Sequence, residues 1–364
     1  MLGIYRALSC FGNLTLNPSS ETGERLEMVR TERADRFDHK ATSPAQRPKS
    51  CWRTVVGWCT DFYMKWTECR LYFNGFVKKD ISVDFGSLRV YDRQNSKAAI
   101  QATAIVLHGV GASSIEYGDL MLSVSQNVSR VLAIDLPGHG HSSAPARLDV
   151  DLLVQAVDDA LKKLNLRPPV VVFGNSMGGF AAALLALKPD TPIDSLVLSS
   201  PAGAPMTEAE FDRLKKLFAL RNDKQADAFV KRIFAHPPSW PMSSVYDAAV
   251  RNQFDHPILQ KLINSVHSSD LLTNEKLAQL KANTTVYWGQ QDKVLPKAEE
   301  HFWETTGNSC ISVTEVPEAG HMPFFEDVQM VTRWITKACK PLTPSVKLGF
   351  QIGCQNHGDR ERTS

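Results

Sequence analysis

Residues 170–180 read VVVFGNSMGGF, and this stretch points most directly to the fold. Its first four residues form a short, continuously apolar run, which is typical of a parallel strand covered on both faces. The Ala- and Leu-rich text after Ser176 predicts a helix that ends before Pro189. Ser176 therefore falls on a sharp strand-to-helix turn, where Gly174 and Gly178 avoid a collision of side chains. This G-x-S-x-G pattern is typical of a nucleophile elbow, and a chance glycine-rich turn is the alternative.

The composition and charge of the 364-residue chain exclude several classes of protein. Hydrophobic residues make up 43% and charged residues 22%, which is ordinary for a globular protein with one large α/β domain and an insertion. The net charge of +2 gives no reason to expect a nucleic-acid partner. No Walker-type, dinucleotide-binding or H-E-x-x-H motif occurs, so we expect neither a cofactor nor a metal.

The cysteines and the two ends of the chain bear on its location. Seven scattered cysteines without C-x-x-C spacing favour reduced thiols over a disulfide framework or a zinc site. The opening MLGIYRALSCFGNL is too weakly apolar for a signal peptide, and no apolar run approaches the length of a membrane span. We therefore expect a cytoplasmic protein.

From residue 81 onward, strand-like and helix-like segments alternate. This alternation predicts an α/β fold with a doubly wound, mostly parallel sheet and helices on both faces. We expect a hairpin at 81–92 and strands at 102–108, 130–136, 170–175, 194–200, 284–289 and 311–316. We expect helices near 115–127, 150–164, 177–188 and 324–339, and a further helix that begins at Pro296. The expected domains are a disordered tail at 1–50, a helical extension at 51–80, a main domain at 81–340 with a helical cap insertion at 201–280, and a tail at 341–364.

An apolar helical stripe precedes the main domain. Its members alternate spacings of four and three residues: Val55, Cys59, Phe62, Trp66, Cys69, Phe73 and Phe76. Such a helix either packs onto the main domain or lies in the headgroup layer of a membrane through its aromatic face. The sequence does not separate these two, so peripheral membrane contact through residues 54–76 stays an alternative.

A serine nucleophile needs a base, and the base needs a carboxylate that orients it. In an open α/β sheet, functional side chains gather at the carboxyl ends of the strands. Asp292 lies just past the expected strand 284–289, and His321 lies just past the expected strand 311–316. Each of them alone could be a surface residue, but their order and positions favour Ser176, Asp292 and His321 as the catalytic residues.

Two main-chain N–H groups are expected to stabilise the negative oxygen that forms when the serine attacks a carbonyl. The N–H of Met177 follows the candidate nucleophile directly, at the start of the helix. The N–H of Val110 lies in the loop HGVG after the strand 102–108. Gly109 and Gly111 would let this loop's backbone approach the substrate.

Five motifs resemble those of the α/β-hydrolase superfamily, in register over about residues 80–340: HGVG, DLPGHGHS, GNSMGG, WGQQDKVLP and EAGHMPF. The segments GNSMGG, LVLSSPAG and WGQQDKVL are similar to the monoacylglycerol-lipase-like and bacterial esterase/lipase branch, in which a helical cap follows the SSPAG strand. The motif GNSMGG also occurs in meta-cleavage-product hydrolases, which break carbon–carbon bonds with the same triad. Those enzymes usually carry an aromatic residue directly after the catalytic histidine, where this chain has Met322.

The resemblance implies acyl transfer to Ser176 and then to water, with His321 as the base and Asp292 holding its tautomer. The expected substrate is a carboxylic ester with a lipophilic acyl group, which would suit the apolar side chains of the insertion: Phe211, Leu214, Leu217, Phe218, Phe229, Ile233, Phe234, Trp240 and Met242. These side chains could equally pack the cap against the core. Two alternatives stay open: a carbon–carbon bond hydrolase, which would need a cationic pocket, and a hydrolase-fold binding protein without turnover.

Overall fold

The computed structural model describes residues 48–239, 242–254 and 256–340, and an eight-stranded sheet lies at its centre. The strands are β1 (Val77–Val83), β2 (Gly86–Gln94), β3 (Ile100–Leu107), β4 (Val128–Ile134), β5 (Val170–Asn175), β6 (Ser195–Ser199), β7 (Asn283–Gly289) and β8 (Ile311–Val316). They lie side by side in the order β1-β2-β4-β3-β5-β6-β7-β8. Strand β2 pairs antiparallel with β1 and β4, whereas the strands from β3 to β8 run parallel to one another.

Helices cover both faces of the sheet and fill the long connection between β6 and β7. They are α1 (Pro48–Phe73), α2 (Gly118–Val124), α3 (Val150–Lys163), α4 (Met177–Ala186), α5 (Glu208–Leu217), α6 (Asp223–Ile233), α7 (Met242–Phe254), α8 (Pro257–Ser265), α9 (Asn274–Ala278), α10 (Lys297–Glu304), α11 (Pro323–Glu326) and α12 (Val328–Ala338). Short 3-10 turns cover Ser114–Tyr117 and Ser268–Asp270. Helices α5 to α9 all lie between β6 and β7.

The central strand β5 shows why its sequence is apolar without alternation. Val170 and Val172 belong to the apolar cluster on the face that carries α3 and α4. Val171 and Phe173 belong to the cluster on the opposite face, which carries α2 and α12. All four side chains are at most 1% exposed, and each contributes about 1.5–3 kcal/mol by its burial. Because both faces are covered, the first four residues of β5 are all apolar and do not alternate with polar ones.

Parallel pairing brings the functional loops to one edge of the sheet. Strands β3, β5, β7 and β8 all point the same way, so the loops that follow them emerge together. These loops carry Gly109, Ser176, Asp292 and His321. The fold class expected from the sequence, a mostly parallel α/β sheet covered by helices, is confirmed.

Other expectations concern the ends of the chain and its thiols. The tails expected at 1–50 and 341–364 lie outside the described residues, apart from 48–50, which begin α1. Cys59, Cys69 and Cys339 are free thiols, but Cys310 is disulfide-bonded, so the expectation of reduced thiols throughout is wrong there. Within the described ranges, no helix combines the length and apolarity that crossing a membrane requires.

Helix α1 packs onto the protein through the face opposite to the predicted stripe. Tyr63, Thr67 and Leu71 are buried, and the methyl group of Thr67 fills the space that a Cβ atom at Gly118 would take. Tyr63 joins a small apolar cluster with residues of α7. Helix α1 is thereby attached to the cap as well as to the main domain.

The outward face of α1 is aromatic. Five large side chains on it are 52–83% exposed: Trp58, Phe62, Trp66, Tyr72 and Phe73. The predicted stripe contains Phe62, Trp66 and Phe73, so the hypothesis that it packs onto the main domain is wrong for these three residues. Phe76, beyond the end of the helix, is buried, and the side chain of Val55 lies outside the described residues.

Candidate active site

Ser176 occupies a strained turn between β5 and α4. Its backbone angles are φ 54° and ψ −120°, a conformation that a non-glycine residue keeps only where its surroundings hold it. Its N–H donates to the carbonyl of Ser199 at 3.1 Å, and its carbonyl accepts from the N–H of Ala202 at 3.1 Å. Its hydroxyl does not cap the helix. The hydroxyl therefore stays available at the positive N-terminal end of α4.

The glycines around Ser176 are required by close backbone contacts. A Cβ atom at Gly178 would overlap the carbonyl oxygens of Leu107 and His108, which belong to β3 and the loop after it. A Cβ atom at Gly174 would overlap the carbonyl of Gly178. Neither obstacle is the movable end of a side chain, so any other residue at 174 or 178 would shift the start of α4 and the hydroxyl with it.

Asp292 and His321 form a buried pair. His321 Nδ1 lies 2.7 Å from Asp292 Oδ2, and the side chains are 7% and 0% exposed respectively. Asp292 Oδ1 accepts from the main-chain N–H groups of Val294 and Leu295 at 2.8 and 3.2 Å. Burial alone would raise the pKa of Asp292, but the attraction of His321 and these hydrogen bonds outweigh burial and hold that pKa below its ordinary value. The carboxylate therefore stays ionised and orients the ring.

Two buried polar side chains that the sequence analysis missed connect the loops of the site. Asn175 Nδ2 donates to the carbonyl oxygens of His321 and Ser199 at 2.9 and 3.0 Å. The Tyr117 hydroxyl donates to Asn175 Oδ1 at 3.2 Å and accepts from the N–H of Gly109 at 3.2 Å. Asn175 directly precedes Ser176 in the quoted motif, which is a signal that could have found it. Tyr117 carries no comparable signal in the sequence.

Ser176 lies where two cavities meet. Cavity A is lined by Val110, Ser176, Met177, Phe180, Ala202, Gly203, Met206, Phe211, Leu214, Lys215, Phe218, Leu271 and further apolar residues. Cavity B is lined by Gly109, Val110, Glu116, Asn175, Ser176, Phe218, Tyr246, Gln253, His321, Met322 and further apolar residues. Val110, Ser176 and Phe218 line both. His321 lines only cavity B, and Met177 lines only cavity A.

Ser176 and His321 both line cavity B, but no direct hydrogen bond joins their side chains in the described ranges. Hydrogen bonds of this kind are often long in ligand-free enzymes and tighten when substrate binds. The structure thus brings Ser176, Asp292 and His321 to one site, and their catalytic roles stay predictions.

Val110 and Met177, whose main-chain N–H groups are expected to bind an oxyanion, both line cavity A beside Ser176. The N–H groups of Val110 and Met177 donate to no acceptor within the part of the chain that the structure describes. Gly111 has φ 76°, and a Cβ atom there would lie 2.9 Å from the ring of Phe254, so glycine fits this turn. Gly109 has no such requirement, since a Cβ atom there would make ordinary contacts.

His108 holds the loop that carries Val110. Its Nδ1 donates to the Gly109 carbonyl at 2.8 Å, and its Nε2 accepts from the N–H of Leu136 at 2.9 Å. Complete burial lowers the pKa of His108 to about 4, even though the bond to the Gly109 carbonyl opposes that shift. The ring is therefore neutral at pH 7, and both of its nitrogens are engaged with the backbone.

The apolar side chains of the cap divide between substrate space and packing. Phe211 and Leu214 line cavity A, Phe218 lines both cavities, and Phe229, Ile233 and Phe234 line cavity B. Leu217 lines neither cavity, and Met242 packs against Tyr63 of α1. Trp240 lies outside the described residues. The cap thus supplies much of the apolar wall around Ser176.

A strand order with an antiparallel edge, a serine on a strained elbow and a carboxylate–imidazole pair on the following strand ends define the α/β-hydrolase superfamily. The family model described as "Serine aminopeptidase, S33" matches residues 98–328, and the chain belongs to this family. The protein is therefore a hydrolase whose family acts on small molecules.

The relatives are distant. Monoacylglycerol lipase abhd6-A of Xenopus laevis is 26% identical over 239 residues, which cover 58% of this chain and 67% of the relative. The 2-hydroxy-6-oxononadienedioate/2-hydroxy-6-oxononatrienedioate hydrolase of Escherichia coli K12 is 24% identical over 216 residues, which cover 53% of this chain and 72% of the relative. The relatives thus include both branches of the superfamily that the motifs resemble, the monoacylglycerol-lipase-like branch and the meta-cleavage-product hydrolases.

Solved structures show the same fold. A putative lipase (lip1) from Acinetobacter baumannii AYE superposes with a TM-score of 0.62 and 18% identity, over 86% of this chain and 99% of that one. The carboxylesterase CesB of Bacillus subtilis superposes with a TM-score of 0.62 and 17% identity, over 78% of this chain and 98% of that one.

Proposed function

We propose that this protein is a serine hydrolase that cleaves carboxylic esters with lipophilic acyl groups. One observation carries the proposal: the Ser176 hydroxyl lies at the junction of two cavities, with the buried His321–Asp292 pair beside it in one of them. This arrangement provides a nucleophile, a base and an orienting carboxylate.

The proposed reaction has two half-reactions. His321 accepts the hydroxyl proton while Ser176 Oγ attacks the ester carbonyl, and the N–H groups of Val110 and Met177 stabilise the resulting oxyanion. The carbon–oxygen bond of the ester then breaks, and His321 returns the proton to the leaving alcohol. In the second half-reaction His321 accepts a proton from a water molecule, whose oxygen attacks the acyl carbon. The bond between that carbon and Ser176 Oγ then breaks, His321 returns the proton to Ser176 Oγ, and the acid is released. Asp292 stays ionised throughout and stabilises the charged imidazole.

Cavity A supports an acyl chain as the group that stays on the enzyme. Its lining surface is almost wholly apolar, and its empty volume is about 810 Å³ with the open mouth included. Lys215 is the one Lys or Arg among the described residues that line cavity A, and its ammonium lies 4.4 Å from the centre of the Phe211 ring. A hydrocarbon chain gains about 0.8 kcal/mol for each methylene group that it buries in such a space.

The same cavities argue against the two alternatives. A carbon–carbon bond hydrolase of dienoates needs a cation for the substrate carboxylate, and no Lys or Arg stands among the described residues that line cavity B. Cavity B instead contains the acidic side chain of Glu116. A binding protein without turnover would gain nothing from a strained serine with its hydroxyl left free.

Contact with a lipid surface is part of the proposal. The exposed face of α1 combines Trp and Phe side chains with Lys65, a composition suited to the headgroup region of a membrane. On its inner face, Tyr63 packs against Met242 and Val245 of α7, and the same helix supplies Tyr246 to cavity B. A membrane bound to α1 would therefore lie beside the cap.

Labelling with a fluorophosphonate and hydrolysis of p-nitrophenyl esters test the proposed function. The wild-type protein should form a covalent adduct at Ser176, and Ser176→Ala should form none and lose at least about a thousandfold in kcat. Ser200→Ala is the matched control, because Ser200 follows β6 and lines neither cavity. Equal labelling of the wild type and Ser176→Ala, or no labelling of either, would overturn the proposal.

A further inference from the structure

Cavity B carries a polar group of side chains that the proposed reaction does not use. Glu116 lies on the 3-10 turn after the loop of Val110, and Gln253 lies on α7 of the cap. Gln253 Nε2 donates to Glu116 Oε1 at 2.7 Å, across the boundary between the main domain and the cap. Tyr246, two turns earlier on α7, lines the same cavity.

Structural hydrogen bonds use only part of the hydrogen-bonding capacity of Glu116 and Gln253. Glu116 Oε2 accepts from the N–H of Ser113 at 2.6 Å and so caps the 3-10 turn. From the described residues, Glu116 Oε1 accepts only the bond from Gln253, and it keeps a second lone pair. Within the described ranges, the amide oxygen of Gln253 accepts no hydrogen bond. Two residues that line cavity B therefore each keep an acceptor atom able to take a further hydrogen bond.

The wall also offers a donor. The Tyr246 hydroxyl has no hydrogen-bond partner within the part of the chain that the structure describes. Burial raises the pKa of Tyr246 to about 12, so the phenol keeps its proton. Apart from these groups, the remaining polar side chains of the wall are Asn175, Ser176 and His321.

The charge of the wall selects against anions. No Lys or Arg stands among the described lining residues, and Glu116 brings a carboxyl group. A carboxylate or phosphate would meet acceptors without a cation to balance it. A hydroxyl group fits both kinds of partner, because it donates to Glu116 or Gln253 and accepts from Tyr246.

We propose that Glu116, Gln253 and Tyr246 form a subsite for the alcohol half of the ester, and that this half is a neutral polyol with free hydroxyl groups. The inference rests on the proposed function and assigns its leaving group. His321, which must protonate the departing alkoxide, lines cavity B and not cavity A. The alcohol half therefore lies in cavity B while the acyl chain lies in cavity A.

Two substrates with one acyl chain test this subsite: a 1-monoacylglycerol, which has two free hydroxyl groups, and the methyl ester, which has none. Gln253→Met keeps the length of the side chain and removes its polar atoms. The ratio of kcat/KM for the monoacylglycerol to kcat/KM for the methyl ester should fall about fivefold, as expected for one lost hydrogen bond. The wild type should also prefer the monoacylglycerol to a 1-acylglycerol 3-phosphate of the same chain.

Gln260→Met is the matched control. Gln260 lies on α8, donates to the carbonyls of Phe218 and Phe254, and lines neither cavity. This variant should leave the ratio unchanged. An unchanged ratio in Gln253→Met, whether both rates fall together or neither falls, would overturn the subsite. Failure of the proposed function is a separate result, because the wild type would then hydrolyse neither ester and react with no fluorophosphonate.

Discussion

Asn175 Nδ2 donates a 2.9 Å hydrogen bond to the main-chain carbonyl of His321, so the residue before Ser176 holds the loop that carries His321. Its second bond, to the carbonyl of Ser199 at 3.0 Å, fixes the same amide group against β6. The relative position of Ser176 and His321 thus depends on one buried side chain, which is 1% exposed.

Replacing this side chain should misplace the base. We expect Asn175→Leu to lower kcat by about ten- to a hundredfold, because a displacement of about 1 Å between reacting groups has an effect of that size. KM should change much less, since Asn175 holds the loop and cavity A is untouched. Two carbonyl oxygens also lose a donor, at about 1–3 kcal/mol each, so the melting temperature should fall. Asn252→Leu, on the exposed surface of α7, serves as the control and should leave both kcat and the melting temperature unchanged. A fall in melting temperature with kcat intact would contradict the positioning role.

The variant Asp292→Asn tests whether Asp292 orients the His321 imidazole, because the ring itself is still present in this variant. An amide keeps the shape of the side chain but favours the wrong tautomer of His321, so we expect kcat to fall by about 10⁴-fold. Fluorophosphonate labelling should become slow rather than vanish, because Ser176 remains. Asp194→Asn is the comparison variant, since Asp194 lies at the opposite end of β6 and accepts from the N–H of Val170. Similar activities for the two variants would remove Asp292 from the mechanism.

The stability of the protein should depend on pH through Glu116. Burial, together with the negative charge of Asp135, raises the pKa of Glu116 to about 7 from 4.5, against the opposing bonds from Gln253 and Ser113. Between these two values the folded chain keeps a proton that the unfolded chain has lost, so the free energy of unfolding falls as pH rises. Glu116→Gln cannot lose this proton. Urea unfolding should therefore show a stability difference between the variant and the wild type that grows from pH 4.5 to 7 and then levels off. A difference independent of pH would show that Glu116 does not titrate in this range.

Chain-length preference should change when cavity A is filled. Leu214 lines it from α5, so Leu214→Trp should lower kcat/KM for esters of long acyl chains by about tenfold, which corresponds to the loss of one or two buried methylene groups. Esters of acetate or butyrate should change by less than about twofold on the same grounds. Leu217→Trp makes the same change on the same helix, outside both cavities, and should leave the profile unchanged. If kcat/KM depended on acyl-chain length in the same way in Leu214→Trp and the wild type, the acyl chain would not bind in cavity A.

Removal of three aromatic side chains tests contact with a membrane. The triple variant Trp58→Gln, Phe62→Gln, Trp66→Gln should lose at least about tenfold in affinity for vesicles that contain anionic phospholipid, because each burial contributes about 1.5–3 kcal/mol. Val77→Gln removes an exposed apolar side chain outside the helix and should bind like the wild type. Hydrolysis of a water-soluble ester should be the same for all three proteins. Undiminished sedimentation of the triple variant with vesicles would exclude α1 as the contact.

Local pattern predicted most of the fold. The strand expected at 170–175 is β5 and the strand expected at 311–316 is β8, with identical bounds. These segments are short, apolar or β-branched, and bounded by turns, so local preference and tertiary packing agree. The expected last helix is interrupted in the structure, because α11 ends at Glu326 and Asp327 then caps α12.

The parts that escaped prediction depend on contacts between distant segments. Gln253 and Glu116 are 137 residues apart in sequence, and nothing in either neighbourhood indicates the other. The sequence likewise could not predict that Trp66 faces away from the protein. The spacing of apolar residues gives the width of an apolar helix face, but it does not say what that face contacts. Ser176, Asp292 and His321 could be proposed because each follows a strand, and strand ends in a parallel sheet share an edge.

The joining of cavities A and B at Val110, Ser176 and Phe218 has a kinetic consequence. In the proposed reaction, the alcohol departs from cavity B after the first half-reaction while the acyl chain remains in cavity A. The vacated space is open to whichever small nucleophile arrives next, and a second alcohol of similar shape competes there with water. In the proposed reaction, the occupancy of cavity B would therefore influence the partition between hydrolysis and transesterification.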